Sequence, residues 1–274
     1  MRRRCLGLLI ASTLAAGLLA TAPASAAPPA GSDRWALLVG VNHFQGSTRP
    51  NRGAVGDAQA MRQLLLRAGW PADHIRVLSD GAATAGAVRE GLNWLADNSS
   101  ESSFSVFSYS GHVKQQGSTV YLWPHDNQWI PDVDVASSLR RIRGFGWTHI
   151  AGCEAAAFDK GVSSPRMLVT ASSQGNEKSY EYDVDIARSV FGRLLVDEGL
   201  LAKAADANHD GKASIQEAFR YAADRAPAIT SGQAQGPQHP YLAGGDGSEW
   251  LLEGSAPAAP PPPARRCLLF LCLP

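Results

Sequence analysis

Two hydrophobic rhythms alternate along the middle of the chain. Trp35-Ala36-Leu37-Leu38-Val39-Gly40-Val41 is an unbroken apolar run, the pattern of a central strand covered on both faces. Met61, Leu64, Leu65 and Ala68 then recur at i, i+3, i+4 and i+7, one face of a helix. Residues 75–78 predict a second strand and 84–97 a helix, with Val88, Leu92 and Leu95 three or four apart. A third strand follows at 104–109, a helix at 133–142, and short strands at 148–151 and 167–170. Strands alternating with helices predict an α/β fold with a mostly parallel sheet. The alternation fades near residue 200, and no internal repeat stands out.

The ends follow other rules. Residues 1–26 combine Arg2-Arg3-Arg4, an apolar stretch from Cys5 to Ala20 and Ala24-Ser25-Ala26. A basic start, a short apolar run and a small-x-small site make a secretory signal peptide, with cleavage expected after Ala26 and a secreted, extracytoplasmic product. The competing reading, a membrane anchor, needs roughly 20 apolar residues, and this run is shorter. The stretch 254–274 reads as a Pro-rich linker and a short apolar tail, Arg265-Arg266-Cys267-Leu268-Leu269-Phe270-Leu271-Cys272. That tail is either a sticky end or a contact with a surface or membrane. The globular domain is therefore expected at 33–252.

Composition narrows the classes. The 274 residues balance 25 Lys+Arg against 25 Asp+Glu, which argues against a nucleic-acid partner. Loss of the leader removes three arginines and one cysteine, leaving a slightly acidic chain with three cysteines. Two of those, Cys267 and Cys272, lie in the tail. Cys153 is then the single thiol of the globular domain.

In open α/β sheets, chemistry gathers beyond the carboxyl ends of the strands. Two such ends carry reactive groups here: Tyr109-Ser110-Gly111-His112 and Ala151-Gly152-Cys153. A thiol becomes a nucleophile when a base or imidazolium stands within hydrogen-bond reach. A buried structural cysteine with an unrelated loop histidine is the alternative.

Residues 35–223 resemble the caspase-like cysteine peptidases, nearest to the bacterial metacaspase-type members. The likeness rests on Leu37-Leu38-Val39-Gly40-Val41-Asn42, Gly56-Asp57-Ala58, Tyr109-Ser110-Gly111-His112, Thr170-Ala171-Ser172-Ser173-Gln174 and Tyr180-Glu181, in family order. It implies a three-layer α/β/α sandwich with a mostly parallel central sheet. It also implies a cysteine endopeptidase acting on peptides or proteins through a Cys153 thioester. His112 would be general acid/base, the Val113 and Cys153 amides the oxyanion hole, and no cofactor would serve catalysis.

The sequence departs from the family pattern in two places. Val113 stands where glycine usually follows the histidine, and a β-branched residue resists unusual φ/ψ values. The usual Asp-x-Cys-His-Ser-Gly is here Ala151-Gly152-Cys153-Glu154-Ala155-Ala156. The resemblance makes Asp57 and Ser110 the remaining parts of an acidic S1 pocket and implies a preference for Arg or Lys at P1. The same departures support the alternative of a catalytically impaired relative acting as a binding module.

Residues 206–217 fit an EF-hand-like loop. Asp206, Asn208, Asp210, Ser214 and Glu217 offer side-chain oxygens, and Lys212 its carbonyl. Gly211 occupies the turn position. An unpaired loop of this kind is expected to bind Ca²⁺ weakly, in a structural role; the alternative is a metal-free turn capping a helix. Three other histidines, His43, His125 and His149, read as loop or structural residues.

Overall fold

The computed structural model describes residues 33–182 and 187–253. The leader at 1–26 and the linker and tail at 254–274, with Cys267 and Cys272, lie outside the described residues. Among those described, no helix is long and apolar enough to cross a membrane.

The central sheet contains β1 (Arg34–Gly40), β2 (Ile75–Ser79), β3 (Phe104–Ser110), β7 (Phe145–Ala151), β8 (Met167–Ala171) and β9 (Tyr241–Ala243), in the order β2-β1-β3-β7-β8-β9. The first five are parallel, and β9 joins β8 antiparallel. Neighbouring residues of β1 serve opposite layers, as strand geometry dictates. Ala36 and Leu38 join a core with Met61, Leu65, Trp147 and Phe191. Leu37 and Val39 join a second core with Val88, Leu95, Tyr109 and Ile150.

Helices cover both faces. On one side lie α1 (Ala54–Arg67), α4 (Val190–Gly192, continuing as the π-helix Arg193–Leu201) and α5 (Ile215–Ile229). On the other lie α2 (Ala85–Asp97) and α3 (Asp132–Leu139). The result is the three-layer α/β/α sandwich.

The early elements match the sequence pattern; the differences have physical reasons. Helix α3 ends at Leu139, short of the expected 142. Between β3 and α3 the chain builds a small antiparallel sheet, β4 (Val113–Gln116), β5 (Thr119–Leu122) and β6 (Ile130–Pro131). Strands of four and two residues are too short to display a period.

Candidate active site

Ser110 of β3 pairs in register with Ala151 of β7. The ladder runs one step further, because Gly111 N donates to Ala151 O at 3.1 Å. His112 and Cys153 each stand two residues beyond that shared rung. Both line one cleft of about 540 Å³, with Arg49, Ser110, Ser179 and Glu181 among its other walls.

His112 is held by its neighbours rather than by a carboxylate. Its ring stacks on Phe44 at a centroid distance of 5.0 Å and meets Trp123 at 5.9 Å. Its Nε2 lies 2.7 Å from the carbonyl oxygen of Arg49. A carbonyl only accepts, so in the neutral ring Nε2 carries the hydrogen and Nδ1 is left as the basic atom. The main chain at this turn is anchored by Tyr109, whose buried hydroxyl donates to His112 O at 2.7 Å. The Tyr109 hydroxyl would lie 2.8 Å from any Cβ at position 111, so Gly111 is required there.

Cys153 is half-buried and is the only cysteine among the described residues. Its Sγ faces Ser179 O at 3.9 Å. Burial pushes the thiol up, and the Glu154 carboxylate adds to that; the Ser179 contact and Lys178 act the other way. The turn is fixed from β8. Ser172 Oγ donates to Gly152 O at 2.9 Å and accepts from Gly152 N at 3.0 Å, and Ser173 Oγ donates to Gly152 O at 3.1 Å. A Cβ on Gly152 would meet Gly111 O at 2.9 Å and Val113 Cγ2 at 2.8 Å. The Ser172-Ser173 motif thus supports the nucleophile's turn, a role its sequence did not announce.

Val113 opens β4 opposite Leu122. Trp123 N donates to His112 O at 3.1 Å, which makes 112–123 a hydrogen-bonded pair. By antiparallel alternation the Val113 N–H then points away from β5. Val113 is not among the residues with positive φ, so its branching brings no backbone strain.

Asp57 is buried beneath Ser110, and Ser110 itself is in the cleft wall. Ser110 Oγ donates to Asp57 Oδ2 at 2.7 Å, and Ser189 N donates to Asp57 Oδ1 at 3.1 Å. Burial raises the Asp57 carboxyl to about 6. Glu181 accepts from the amides of Arg52 and Gly53, at 2.7–3.1 Å, and so ties the cleft wall to the segment bearing Arg49 O.

Other candidates sit elsewhere. His149 is buried against Phe191, and burial lowers it to about 3, which keeps it neutral. His43 pairs with Asp80, and His125 lies against His43 O at 2.7 Å. In the loop 206–217, Asp206 accepts from the amides of Asp210 and Gly211, and Glu217 forms a capping box with Ser214. Among the described residues no group of three or more His, Cys, Asp or Glu is placed to hold a metal ion. The Ca²⁺ expectation at Asp206, Asn208, Asp210, Lys212, Ser214 and Glu217 therefore gains no support from the side-chain clusters present.

Comparison with known proteins gives the family. The chain is 35% identical over 95 residues to Metacaspase-3 of Arabidopsis thaliana, a match covering 32% of this chain and 26% of that protein. The match thus spans about a quarter of that curated relative's length. A crystal structure of a Geobacter sulfurreducens protein matches with a TM-score of 0.57 at 16% identity, covering 77% of this chain and 93% of the other, a likeness of fold. Residues 33–237 match the caspase domain of the C14 peptidases, so the chain belongs to that family of cysteine-type endopeptidases.

Proposed function

We propose that this protein is a secreted cysteine endopeptidase in which Cys153 and His112 carry the reaction. The supporting observation is that both line one cleft while the Arg49 carbonyl holds Nε2 of His112 and leaves Nδ1 basic. Nδ1 takes the thiol proton, and Sγ attacks the scissile carbonyl carbon. The Val113 and Cys153 amides are the donors to the resulting oxyanion in this reading. The C–N bond breaks, His112 returns the proton to the leaving amine, and a thioester remains. Water, deprotonated by the same histidine, hydrolyses the thioester and restores the thiol.

The substrate is read as a peptide with a basic P1 residue. Ser110 in the cleft wall, Asp57 behind it and Glu181 nearby supply the anionic character, in a chain whose position 151 is alanine. A fluorogenic panel with Arg, Lys, Asp and Asn at P1 tests this, and cleavage after Asp alone overturns it. Peptide hydrolysis that persists in Cys153→Ala rejects the mechanism.

One observation favours the alternative of an impaired binding module: burial and Glu154 both push the Cys153 thiol up. A wild-type Cys153 that resists alkylation in folded protein would establish that alternative. Secretion is tested by N-terminal sequencing of the exported chain, expected to begin at Ala27. For Ca²⁺ we retain a weak structural role at 206–217, outside the reaction. Its support is the loop's turn, with Gly211 at φ +83° and three acidic or amide side chains accepting from the loop's own amides.

A further inference from the structure

The nucleophile's turn is gripped by one short segment of the facing wall. Glu154 N donates to Glu177 O at 2.8 Å, Lys178 Nζ pairs with the Glu154 carboxylate, and Cys153 Sγ faces Ser179 O at 3.9 Å. Glu154 is only 4% exposed and holds φ at +50°. A left-handed conformation costs a non-glycine residue on the order of 1–3 kcal/mol and persists only where the surroundings impose it. A buried carboxylate likewise needs a partner. Lys178 meets both needs, since its ammonium fixes the carboxylate that the strained backbone carries.

The charged and titratable groups around the thiol come from every side of the cleft. His112 faces it from the β3 end and Glu154 from its own turn. Glu177, Lys178, Tyr180 and Glu181 come from the facing segment, and Arg49 and Arg52 from the rim. Glu177 is engaged by His239, through its amide at 2.9 Å and Nδ1 at 2.8 Å. Glu181 is engaged by backbone amides. Of these groups, Glu154 and Lys178 act on the sulfur by charge with opposite signs.

Resting on the reading of Cys153 as nucleophile, we propose that Lys178 is a positioning and charge-balancing residue for Cys153, restrained by its ion pair with Glu154. While Cys153 is a thiol, Lys178 is held by the carboxylate. When the proton passes to His112, the ammonium, with three donors, is shared between Glu154 and the new thiolate. The pair also joins the reactive turn to the wall formed by 179–182, so movement of that wall alters how readily the sulfur ionises.

The test is the rate of Cys153 alkylation by iodoacetamide as a function of pH, on the full chain. Lys178→Met is expected to move the apparent midpoint up and slow alkylation at pH 7 about three- to tenfold, with Lys178→Arg restoring it. Glu154→Gln keeps the side chain's shape and is expected to move the midpoint down and speed alkylation by a similar factor. Opposite directions are the signature, because a purely structural pair would lose reactivity in both variants. Two variants that slow alike, or midpoints that do not move, overturn the proposal. If Lys178→Met fails to fold, the sign of the Glu154→Gln shift decides alone. Peptide hydrolysis is measured on the same samples. Midpoints that shift as expected in a wild-type protein that cleaves nothing would overturn the peptidase reading and leave this inference standing.

Discussion

The two strand ends that form the site are built on different principles. The β3 end is neutral and aromatic: His112 is held by a carbonyl oxygen, a phenylalanine, a tryptophan and the hydroxyl of Tyr109. The β7 end is ionic: Cys153 is followed by a buried carboxylate in a left-handed turn, pinned by Lys178. The groups that hold His112 carry no charge. Charge pairs beside a thiol set its ionisation directly. The base is therefore fixed in place while the nucleophile is tuned, and perturbations of the two halves should read out differently.

The most severe way to break the contrast is to remove the reacting groups. Cys153→Ala and His112→Ala should each lower peptidase kcat/KM by about 10³-fold or more, with no additive loss in the double variant. Additive losses would mean that the two do not act as a unit. Gly152→Ala comes next, because its Cβ meets Gly111 O and Val113 Cγ2 below 3.0 Å. A displacement of the nucleophile by a fraction of an ångström to one ångström should cost about 10²-fold in kcat. A fully active variant would show that the turn relaxes freely.

Tyr109→Phe removes the hydroxyl anchored on His112 O and Trp123 O. It should cost about tenfold in kcat with KM little changed, since a lost buried hydrogen bond is worth on the order of 1 kcal/mol. The midpoint of Cys153 alkylation should stay where it is, which separates the neutral half from the ionic one.

The Asp57 layer is read out in stability and not in rate. A carboxyl raised to about 6 in the fold and ionising near 3.8 in the unfolded chain binds more protons when folded. Its contribution is therefore full below the unfolded value and lost as pH rises from about 4 to 6, by on the order of 3 kcal/mol. Denaturant titrations should show this downward trend in the wild type relative to Asp57→Asn, and parallel pH profiles would refute it. The smallest effect is that of Ca²⁺. Ten millimolar should stabilise the fold by about 1.4 kcal/mol if the dissociation constant is near 10⁻³ M, and Glu217→Gln should abolish the gain. No change in thermal midpoint in the wild type would remove the metal reading.

Much of this was legible in the sequence, for identifiable reasons. Strand β1 is covered on both faces, so Leu37, Leu38 and Val39 form an apolar run that announces itself. His112 and Cys153 were legible because reactive side chains follow strand ends. The hairpin β4–β5 was not, since four-residue strands carry too few alternations. Helix α5 runs to Ile229 through Pro227, a residue that ordinarily interrupts a helix. The anchors of the site were the least visible. Arg49 contributes a backbone oxygen, which leaves no trace in side-chain pattern, and Lys178 is one charge among 25 basic residues until its partner is known.

The shared rung between Ser110 and Ala151 has a consequence for how the molecule tolerates change. The two reactive residues leave adjacent strands spaced by about 4.8 Å, so their juxtaposition follows from the ladder and not from the length of the chain that connects them. That connection turns at Gly117, whose φ is +61° and whose α-carbon has open space beside it. Extra residues spliced into this hairpin tip would lengthen the path from base to nucleophile without altering the distance between them.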